Sequence, residues 1–298
     1  MPPPLVYVVV VNWNLRDDTA ECLESLLLSD YANYRVLVVD NGSQDGSPEY
    51  LQARFPHTES IKNPTNLGFA KANNIGIRFA LEHGAEHVFL LNNDTTVAPN
   101  MLSKVVVTAL GSSQIGVVAP KILYYAQRDK IWHLGGRASR WLPVPRTLGQ
   151  GQLDDGRYSQ PFEVDMVAFC GALIKRSLLE RIGLLDELFV FSYEDADFCY
   201  RARAAGYRVV CQPQAEMWHK VSVSVQRNIS SVRYLHSRGR ALFYRRYPHG
   251  PHPWLTAGYL CLSTARAAVA SLLQGDITTA RAGFRGLYDG YRFDLRSN

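Results

Sequence analysis

Two short segments of the chain carry oxygen and nitrogen donors of the kind that hold a divalent metal ion. Asn92 and Asp94 lie two residues apart, and His219 stands alone later in the chain. Mg²⁺ and Mn²⁺ take oxygen ligands, and Mn²⁺ also accepts imidazole. Such an ion stabilises the negative charge that develops on a phosphate leaving group. A turn before a helix beginning near Asn100 explains the first segment equally well, so a structural role stays open.

A third segment places three acids within four residues at the start of a predicted helix. The acids are Glu194, Asp195 and Asp197. Acidic side chains in a first helical turn are favoured by the helix dipole, which is a sufficient structural explanation for one or two of them. Three acids are more than the capping of a helix requires. A carboxylate fixed there can accept the proton of an attacking hydroxyl group, so the segment is a candidate general base.

The elements around these segments follow a regular alternation. A continuous β-branched run at 5–11 and further apolar runs at 35–39 and 87–91 predict buried strands, and the spacing of apolar residues predicts helices at 17–28, 48–55 and 69–83. Strands alternating with helices predict an α/β fold with a Rossmann-like, mostly parallel sheet flanked by helices. Ligands of such sheets bind beyond the carboxyl ends of the strands.

Polar residues follow each of the three predicted strands, at 12–14, 40–43 and 92–94. The chain has neither the GxGxxG sequence of a dinucleotide site nor the GxxxxGK[ST] sequence of a P-loop. We therefore expect a nucleotide-sized site that binds through side chains and not through a glycine-rich phosphate loop.

The second half of the chain has a less regular pattern. We predict strands at 166–175 and 207–211 and helices at 176–182 and 196–205, followed by an arginine- and tyrosine-rich helical region after residue 225. The segment 127–160 is rich in glycine, arginine, tryptophan and proline and lacks periodicity. Irregular segments of this length are usually functional loops.

Composition narrows the class of protein. The chain has 298 residues, of which 47% are hydrophobic and 20% charged, and these values are typical of a folded globular protein. A net charge of +5 is compatible with phosphate ligands but does not predict nucleic-acid binding. The five cysteines are scattered and form no CxxC pair, which favours a reduced, cytoplasmic protein without a zinc site.

The ordered set of motifs resembles glycosyltransferase family 2, which has the GT-A fold, and within it the rhamnosyltransferase and galactofuranosyltransferase-like branch. The motifs that carry this resemblance extend from residue 6 to residue 219: VNWN, VVDNGSxDGS, NxGFAxANNxGI, LLNND, FCGALIKR, EDADFCYRARAAGY and WH. Each motif is weak alone, but their order and spacing together are specific.

The resemblance implies a role for each matching residue. Asp40 would accept the N3–H of a uracil or thymine base, and Asp195 would be the catalytic base, assisted by Glu194. The metal, Mg²⁺ or Mn²⁺, would be held by Asn92, Asp94 and His219. Asn92 replaces the usual acid, which leaves Asp94, His219 and the diphosphate as the main ligands. The implied nucleotide-sugar residues are Asn12, Asn14, Asp40, Asn66, Gly68, Asn74, Asn93 and Asp94, and those implied on the acceptor side are Asp197 and Trp132.

The activity implied is an inverting sugar transfer from a UDP- or dTDP-sugar to a hydroxyl group of a surface glycan or lipid-linked acceptor, in the cytoplasm at the inner face of the cell membrane. dTDP-rhamnose is the favoured donor, and UDP-galactofuranose, UDP-glucose and UDP-galactose stay open. Two alternatives come from other classes: a non-catalytic nucleotide- or carbohydrate-binding relative, and a nucleotidyltransferase. A nucleotidyltransferase would have a glycine-rich first loop, which this sequence lacks. A homodimer is also compatible with the sequence.

The expected domains are a catalytic domain at 1–225, with a nucleotide-binding half at 1–120 and an acceptor half at 121–225, and a helical extension at 226–298. Within this extension, the segment 227–246 is rich in positive charge, since it carries six arginines and no acid. Two interpretations stay open for it: contact with anionic headgroups or a lipid diphosphate, and packing on the catalytic domain or a second subunit. The residues concerned are Arg233, Arg238, Arg240, Arg245 and Arg246, with Tyr234, Phe243, Tyr244 and Trp254. We expect 254–273 to be an amphipathic or packed helix and not a membrane span, because Arg266 and several hydroxyl residues interrupt it.

Overall fold

The structure is a computed structural model that describes residues 2–138, 146–221, 229–248 and 253–295. The predicted domain boundary at 225/226 and Arg227 lie outside these residues, as does part of the predicted irregular segment at 127–160. The boundaries proposed for the domains therefore stay predictions.

The described residues form twelve strands. They are β1 (Val6–Asn12), β2 (Tyr34–Asp40), β3 (Glu59–Lys62), β4 (His87–Asn92), β5 (Thr95–Val97), β6 (Ile115–Tyr124), β7 (Ile131–His133), β8 (Gly136–Arg137), β9 (Arg146–Thr147), β10 (Phe162–Val164), β11 (Gly171–Lys175) and β12 (Arg208–His219). Ten of them form one sheet with the order β10-β12-β6-β11-β4-β1-β2-β3, in which β5 pairs with β12 and β7 with β6. β8 and β9 form a separate hairpin.

The sheet is mostly parallel, as the sequence predicts. β4, β1, β2 and β3 run parallel to one another, and β6 is parallel to β12, while β11 runs antiparallel between β4 and β6. The register aligns Asn12 with Asp40 and Val11 with Asn92, so the polar residues at the ends of β1, β2 and β4 meet at one edge. The mixed sheet flanked by helices confirms the predicted α/β fold class.

Helices cover both faces of the sheet. The helices of the first 220 residues are α1 (Arg16–Leu27), α2 (Ser47–Arg54), α3 (Phe69–Glu82), α4 (Met101–Leu110), α5 (Arg176–Ile182) and α6 (Glu194–Ala204). Along β1, Tyr7 and Val9 pack with α3, α5 and α6 in one core, whereas Val6, Val8 and Val10 pack with α1, α2 and α4 in the other. This alternation of a fully buried strand explains the continuous apolar run in the sequence.

Two sequence predictions in the second half need correction. The strand predicted at 166–175 is limited to β11, and the strand predicted at 207–211 continues to His219 as β12. β12 contains Pro213, although proline rarely occurs inside a strand. In the structure a register shift between Gln212 and Glu216 accommodates it. Strand β6 was not predicted, and the segment predicted as irregular contains β7, β8 and β9.

Most of the described residues after 228 are helical, in agreement with the predicted helical extension. They form α7 (Ile229–Arg246), α8 (Pro253–Leu273) and α9 (Ile277–Arg292). A third core joins these helices to the preceding part of the chain, since Leu242 and Phe243 of α7 pack with Phe189 and Ala196. The extension is therefore continuous with the α/β unit. Among the described residues, α8 alone is long and apolar enough to cross a bilayer by length and composition, a test that helices of soluble proteins also pass.

The structure assigns internal partners to most of the arginines for which lipid contact was one interpretation. The Arg238 side chain donates to the carbonyl oxygen of Leu188, Arg240 to Thr264 Oγ1, and Arg245 to the carbonyl oxygens of Gly290 and Phe293. Arg246 forms ion pairs with Asp186 and Asp197. Phe243 and Tyr244 lie in the core. These contacts favour the packing interpretation for this part of α7.

Candidate active site

A cavity of about 810 Å³ opens at the sheet edge where the polar strand ends meet. Asn92, Asp94 and His219 line it, and so do Glu194 and Asp195. Two segments far apart in sequence, the strand ends and the start of α6, therefore share one concave site. Of the other predicted residues, Asn66, Gly68, Asn93 and Trp132 also line this cavity.

Asp94 and His219 form a close pair because of a short strand pairing. β5 pairs antiparallel with the end of β12 so that His219 lies opposite Thr95, the residue after Asp94. The backbone N–H of Lys220 donates to the Asp94 carbonyl oxygen at 2.9 Å. His219 Nε2 then lies 3.1 Å from Asp94 Oδ1, and both side chains are 8% exposed.

This pair suits a cation that is shared with a substrate phosphate. The described residues contain no group of three or more His, Cys, Asp or Glu side chains placed to hold a metal. His219 and Asp94 thus offer two ligands, and the neighbouring Asn92 is a neutral third. Mg²⁺ in nucleotide sites typically takes one or two carboxylates and completes its shell with phosphate oxygens and water. The donor set fits such an ion.

The aromatic ring of Trp132 packs edge-on against His219, with ring centroids 4.7 Å apart. Trp132 was expected on the acceptor side, but its direct contact is with the predicted metal ligand. This contact restricts the orientation of the imidazole, which is the usual function of groups packed around a metal ligand.

Asp40 is fixed by a hydrogen-bond network at the ends of β1 and β2. Asn12 Nδ2 donates to Asp40 Oδ1 at 2.8 Å and the backbone N–H of Ser43 donates to Oδ2 at 3.0 Å. Asn12 is fully buried and also accepts bonds from Thr19 and Asn93. These bonds make Asn12 a structural link between the strand ends and not a residue that lines the cavity.

Asn14 and Asp40 also lie outside the cavity lining. Asn14 has a positive φ of 54° and its Oδ1 accepts the backbone N–H of Gln44, which ties the β1–α1 loop to the β2–α2 loop. The cavity residues that adjoin Asp40 are Trp13 and Asn41. The structure thus places Asn14 and Asp40 next to the cavity, and the role of Asp40 towards a base stays a prediction.

The segment before α3 contacts the cavity through Asn66 and Gly68. Asn66 Oδ1 accepts the Gly68 N–H at 2.9 Å and the Asn41 amide at 3.0 Å. Gly68 has a φ of +85°, and a Cβ there would lie 2.7 Å from Val190 Cγ1, so only glycine fits. Asn74, which was predicted in the same group, is buried elsewhere: its amide bonds the backbone of Leu185. Asn74 fixes the 185–187 segment and does not line the cavity.

Glu194 and Asp195 both line the cavity, and the pKa values of their carboxyl groups are raised to different extents. Burial raises the pKa of Asp195 to about 6, while hydrogen bonds from backbone N–H groups, including that of Ala196 at 2.7 Å, lower it. Burial and the adjacent Asp195 charge raise the pKa of Glu194 well above its ordinary value. Glu194 Oε2 is buried without a hydrogen-bond partner. Burial therefore disfavours the charged form of Glu194 more strongly than that of Asp195, so Asp195 is the side chain of the pair better able to accept a proton.

The start of α6 is held by an unusual backbone and by α7. Ser192 and Tyr193 have positive φ values of 65° and 75°, which non-glycine residues rarely adopt. The Tyr193 ring packs against Phe243 and His236 of α7 at centroid distances of 5.5 and 5.6 Å. A Cβ at Gly239 would lie 3.0 Å from the Ser192 carbonyl oxygen. Helix α7 thus packs directly against the two residues that precede Glu194 and Asp195.

Asp197 does not reach the cavity, which corrects its predicted position on the acceptor side. It is completely buried and pairs with Arg201 at 2.8 Å and Arg246 at 3.0 Å. The Tyr247 hydroxyl donates to the same carboxylate at 2.8 Å. Asp197 therefore joins α6 to the end of α7.

Cys170 lines the same cavity and interacts electrostatically with both Asp94 and Asp195. Its thiol is buried, and burial, together with the charges of these two carboxylates, raises its pKa well above the ordinary value. Both carboxylates are thus within electrostatic reach of one side chain that also lines the cavity. This arrangement agrees with a site in which the predicted metal ligands and the predicted base act on one substrate.

Several cavity residues were not predicted from the sequence. Trp13 stood inside the VNWN motif without an assigned role, although an aromatic residue at a strand end is a signal for base or sugar stacking. The other unpredicted lining residues come from loops and from α7, and include His133, Val190, Phe191, Ser192, Tyr193, Ser231, Val232, Leu235 and His236. Burial lowers the pKa values of His133 and His236 to about 4, so both are neutral near pH 7.

Comparison with known proteins gives a match to one family. The sequence model described as glycosyl transferase family 2 matches residues 7–183, more than half of the chain. Among curated relatives, the chain is 25% identical over 219 residues to a protein of Shigella flexneri named dTDP-rhamnosyl transferase RfbF, covering 72% of this chain and 69% of the relative.

A relative from Mycobacterium tuberculosis covers more of the chain. It is named N-acetylglucosaminyl-diphospho-decaprenol L-rhamnosyltransferase and is 25% identical over 290 residues, covering 89% of this chain and 93% of the relative. A third, from Haloferax volcanii, is named low-salt glycan biosynthesis hexosyltransferase Agl10 and is 27% identical over 242 residues, covering 79% and 74%.

Two solved structures share the fold. A mannosyltransferase from Pyrobaculum calidifontis in complex with GDP-Man and Mn²⁺ aligns over 97% of this chain and 87% of its own, with a TM-score of 0.58 and 18% identity. GalNAc-T7 with UDP, GalNAc and Mn²⁺ aligns over 82% of this chain but only 48% of its own, with a TM-score of 0.63 and 15% identity. At these identities the likeness shows the fold alone.

Proposed function

This chain belongs to glycosyltransferase family 2, and we propose that it transfers a sugar, with inversion of configuration, from a nucleoside diphosphate to an acceptor hydroxyl group, with Asp195 as general base. One observation carries the proposal: the Asp94–His219 pair and the ionised Asp195 line the same cavity. A sugar transfer needs both a site for the diphosphate leaving group and a proton acceptor near the attacking hydroxyl.

The favoured donor is dTDP-rhamnose. Two relatives with rhamnosyltransferase names support this choice, one of which names dTDP as the nucleotide. Trp13, Asn41 and Asn66 line the part of the cavity next to Asp40 and would surround the nucleoside. UDP-galactofuranose, UDP-glucose and UDP-galactose are the competing donors for the test below.

The favoured acceptor is a sugar hydroxyl of a lipid-linked or growing surface glycan. The name of the M. tuberculosis relative describes a sugar on a diphospho-polyprenol. The cavity wall formed by Val190, Val232 and Leu235 is apolar, whereas Ser231 and His236 supply polar atoms beside it. A sugar has both polar hydroxyls and apolar C–H faces, so such a wall suits it.

The chemistry follows from the position of the carboxylates. Asp195 accepts the proton of the acceptor hydroxyl while that oxygen forms a bond to the anomeric carbon. The bond from the anomeric carbon to the diphosphate oxygen breaks, and its electron pair leaves with the nucleoside diphosphate. Attack and departure occur on opposite faces of the sugar, so the configuration inverts. Burial favours the neutral form of Glu194 beside Asp195, and this form can donate a hydrogen bond to the acceptor or to the sugar.

Asp94 and His219, with Asn92 beside them, would hold a divalent cation, Mg²⁺ or Mn²⁺, which neutralises charge on the departing diphosphate. The relevant observation is the 3.1 Å contact between the two donors at the cavity wall. Two related folds described with Mn²⁺ agree with this choice.

A donor panel tests the proposal. Purified protein is incubated with dTDP-rhamnose and with each UDP-sugar, with Mg²⁺ or Mn²⁺, and with or without a short-chain N-acetylglucosaminyl-diphospho-polyprenol. We expect release of nucleoside diphosphate to increase at least tenfold when both the correct donor and the acceptor are present. The product linkage, determined by NMR, should show inversion. Donor binding without turnover on any acceptor would favour the non-catalytic alternative, and a retained configuration would contradict the mechanism.

A further inference from the structure

The exposed apolar side chains of this protein are concentrated in the last two helices. On α8 and α9 the exposed large hydrophobic residues are Trp254, Leu255, Leu262, Val269, Leu272, Leu273, Ile277, Phe284, Tyr288 and Tyr291. The whole described chain before α7 has only seven such residues. Contiguous apolar surface of this kind marks a contact site for a protein or a membrane.

Helix α8 directs its more polar face to the protein and its apolar face to the outside. Its buried positions are Thr256, Leu260, Thr264, Ala268 and Ser271. Leu255, Leu262, Val269 and Leu273 recur at the same helical spacing on the exposed face, where Leu262 is 72% and Leu273 84% exposed. A helix at a water-facing surface has the opposite arrangement.

Contacts to the neighbouring helices fix this orientation. Thr264 Oγ1 accepts a hydrogen bond from Arg240 of α7 at 2.8 Å. A Cβ at Gly283 of α9 would lie 3.6 Å from the Thr264 methyl group, so α8 and α9 approach closely at this residue. Because one face of α8 is held by α7 and α9, the helix presents one side to its surroundings and does not have the all-round apolar surface of a membrane span.

Helix α9 adds positive charge and aromatic rings beside this face. Its exposed residues include Arg281, Arg285 and Arg292, together with Phe284, Tyr288 and Tyr291. The segment 253–295 has no glutamate and no lysine. Of its three aspartates, Asp276 caps α9, and Asp289 accepts the Tyr234 hydroxyl and pairs at 3.7 Å with Arg285, whose side chain is still 79% exposed. Arginine with tyrosine and phenylalanine is the composition found at the interface between lipid headgroups and acyl chains.

We propose that the surface formed by the exposed faces of α8 and α9 docks the protein on a bilayer that contains anionic lipids. The leucines and Val269 of α8 enter the boundary of the acyl chains, and the arginines of α9 contact lipid phosphates. A second copy of the chain is the competing occupant, and a symmetric contact made through the α9 faces would oppose arginine to arginine, whereas anionic lipids offer these arginines the opposite charge. The surface differs from the arginines of α7, which are bonded within the protein.

The test is flotation of the full-length protein with vesicles of phosphatidylcholine alone or with one quarter phosphatidylglycerol, without donor or acceptor. We expect flotation with the anionic vesicles that weakens as salt increases. The double variant Leu262→Glu/Leu273→Glu should lower the partition coefficient at least about tenfold for each leucine. Its matched control is Val107→Glu/Leu110→Glu on α4, where the side chains are 69% and 59% exposed. The control should bind like the wild type.

A second variant keeps the test decisive if the leucine variant does not fold. Arg281→Gln/Arg285→Gln should weaken binding to anionic vesicles about fivefold for each arginine and leave the weak binding to neutral vesicles unchanged. Absence of flotation, or flotation unaffected by both double variants, would overturn the proposal. Light scattering that shows a dimer which Leu262→Glu/Leu273→Glu dissociates would assign the surface to a second copy instead. None of these readouts depends on sugar transfer.

Discussion

The Asp94–His219 pair and the Glu194–Asp195 pair line the same cavity but are positioned by different kinds of structure. The first lies at the joint of two paired strands, where a single register, His219 opposite Thr95, places both side chains. The second lies at the start of a helix, after two residues with positive φ. One pair is positioned by backbone hydrogen bonds of the sheet, and the other by side chains that pack against a loop.

The source of the supporting contacts differs as well. The strand-end pair depends on the α/β unit alone. The helix-start pair depends on α7, through Tyr193 against Phe243 and through the buried Asp197 with Arg246. On the proposed assignment of Asp195 as base, the C-terminal extension supports the base side of the cavity and not the Asp94–His219 pair. Changes to α7 should therefore affect the chemical step, whereas changes at β5 and β12 should affect donor and metal binding.

The sharpest test of this division is Asp195→Asn. Loss of the proton acceptor should lower kcat by about 10²–10⁴, because the neutral amide keeps the shape of the side chain but cannot take the proton. Donor affinity, measured by calorimetry in the presence of Mn²⁺, should change less than threefold. The exposed Asp17→Asn serves as the control and should leave both values unchanged. A large loss of donor affinity in Asp195→Asn would place this residue on the donor side.

For Glu194, the other acid of the pair, we expect a much smaller effect on kcat. Because burial and the adjacent Asp195 charge raise the pKa of Glu194, its neutral form is favoured, and Glu194→Gln preserves the hydrogen-bonding character of that form. We expect kcat to fall by less than about tenfold, far less than for Asp195→Asn. If Glu194→Gln abolished transfer and Asp195→Asn did not, the assignment of the base within the pair would be reversed.

For the strand-end pair, in contrast, Asp94→Ala should lower the affinity for the donor and the metal. Removing the carboxylate of the strand-end pair leaves His219 and Asn92 as protein ligands. We expect donor affinity to fall about 100-fold and the stimulation by added Mn²⁺ to disappear. The readouts are donor titration at several Mn²⁺ concentrations and direct Mn²⁺ binding by electron paramagnetic resonance. An unchanged Mn²⁺ response would remove Asp94 from the metal site, and Asp155→Ala on the surface is the control.

The pH dependence reports on the base side alone. Since burial raises the pKa of Asp195 to about 6, the base is ionised above this pH and protonated below it. Turnover at saturating donor and metal should be constant above about pH 7 and about tenfold lower at pH 5 than on this plateau. Measurement of kcat between pH 5 and 8 checks the prediction. A plateau that extends to pH 5 would show that Asp195 is not the group whose ionisation limits the reaction.

The same comparison explains what the sequence could predict. The ends of β1, β2 and β4 were predicted because continuous apolar runs followed by polar residues are a local signal. The roles of Asp94, Asp195 and His219 come from the resemblance of their motifs to the family and stay predictions. Asp197 was misplaced because an acid in a first helical turn has the same local pattern whether it faces a cavity or a core. The residues that decide between these positions, Arg246 and Tyr247, lie 49 and 50 residues further along the chain.

The role of α7 could not be predicted for a related reason. Its sequence indicates an arginine-rich helix, which suits both packing and lipid contact. Only the fold shows that Arg238 and Arg245 donate to backbone carbonyl oxygens and that Ser231 and His236 line the cavity. The hydrogen-bond partners of these arginines lie far away in the sequence, and a single sequence without its relatives does not indicate which residues they are.

The smallest expected effect comes from Gly239→Ala, and it tests the dependence of the base on α7 most directly. A Cβ at this position would lie 3.0 Å from the Ser192 carbonyl oxygen, so α7 or the Ser192–Tyr193 segment must shift by a few tenths of an ångström. We expect kcat to fall about threefold while donor affinity stays constant. Gly258→Ala on α8 is the matched control, since a Cβ there meets no atom within 4 Å. Both substitutions favour a helix by about 0.5–1 kcal/mol, so Gly258→Ala should raise the melting temperature without affecting kcat. Equal kcat values for the two variants would show that α7 supports the fold and not the position of the base.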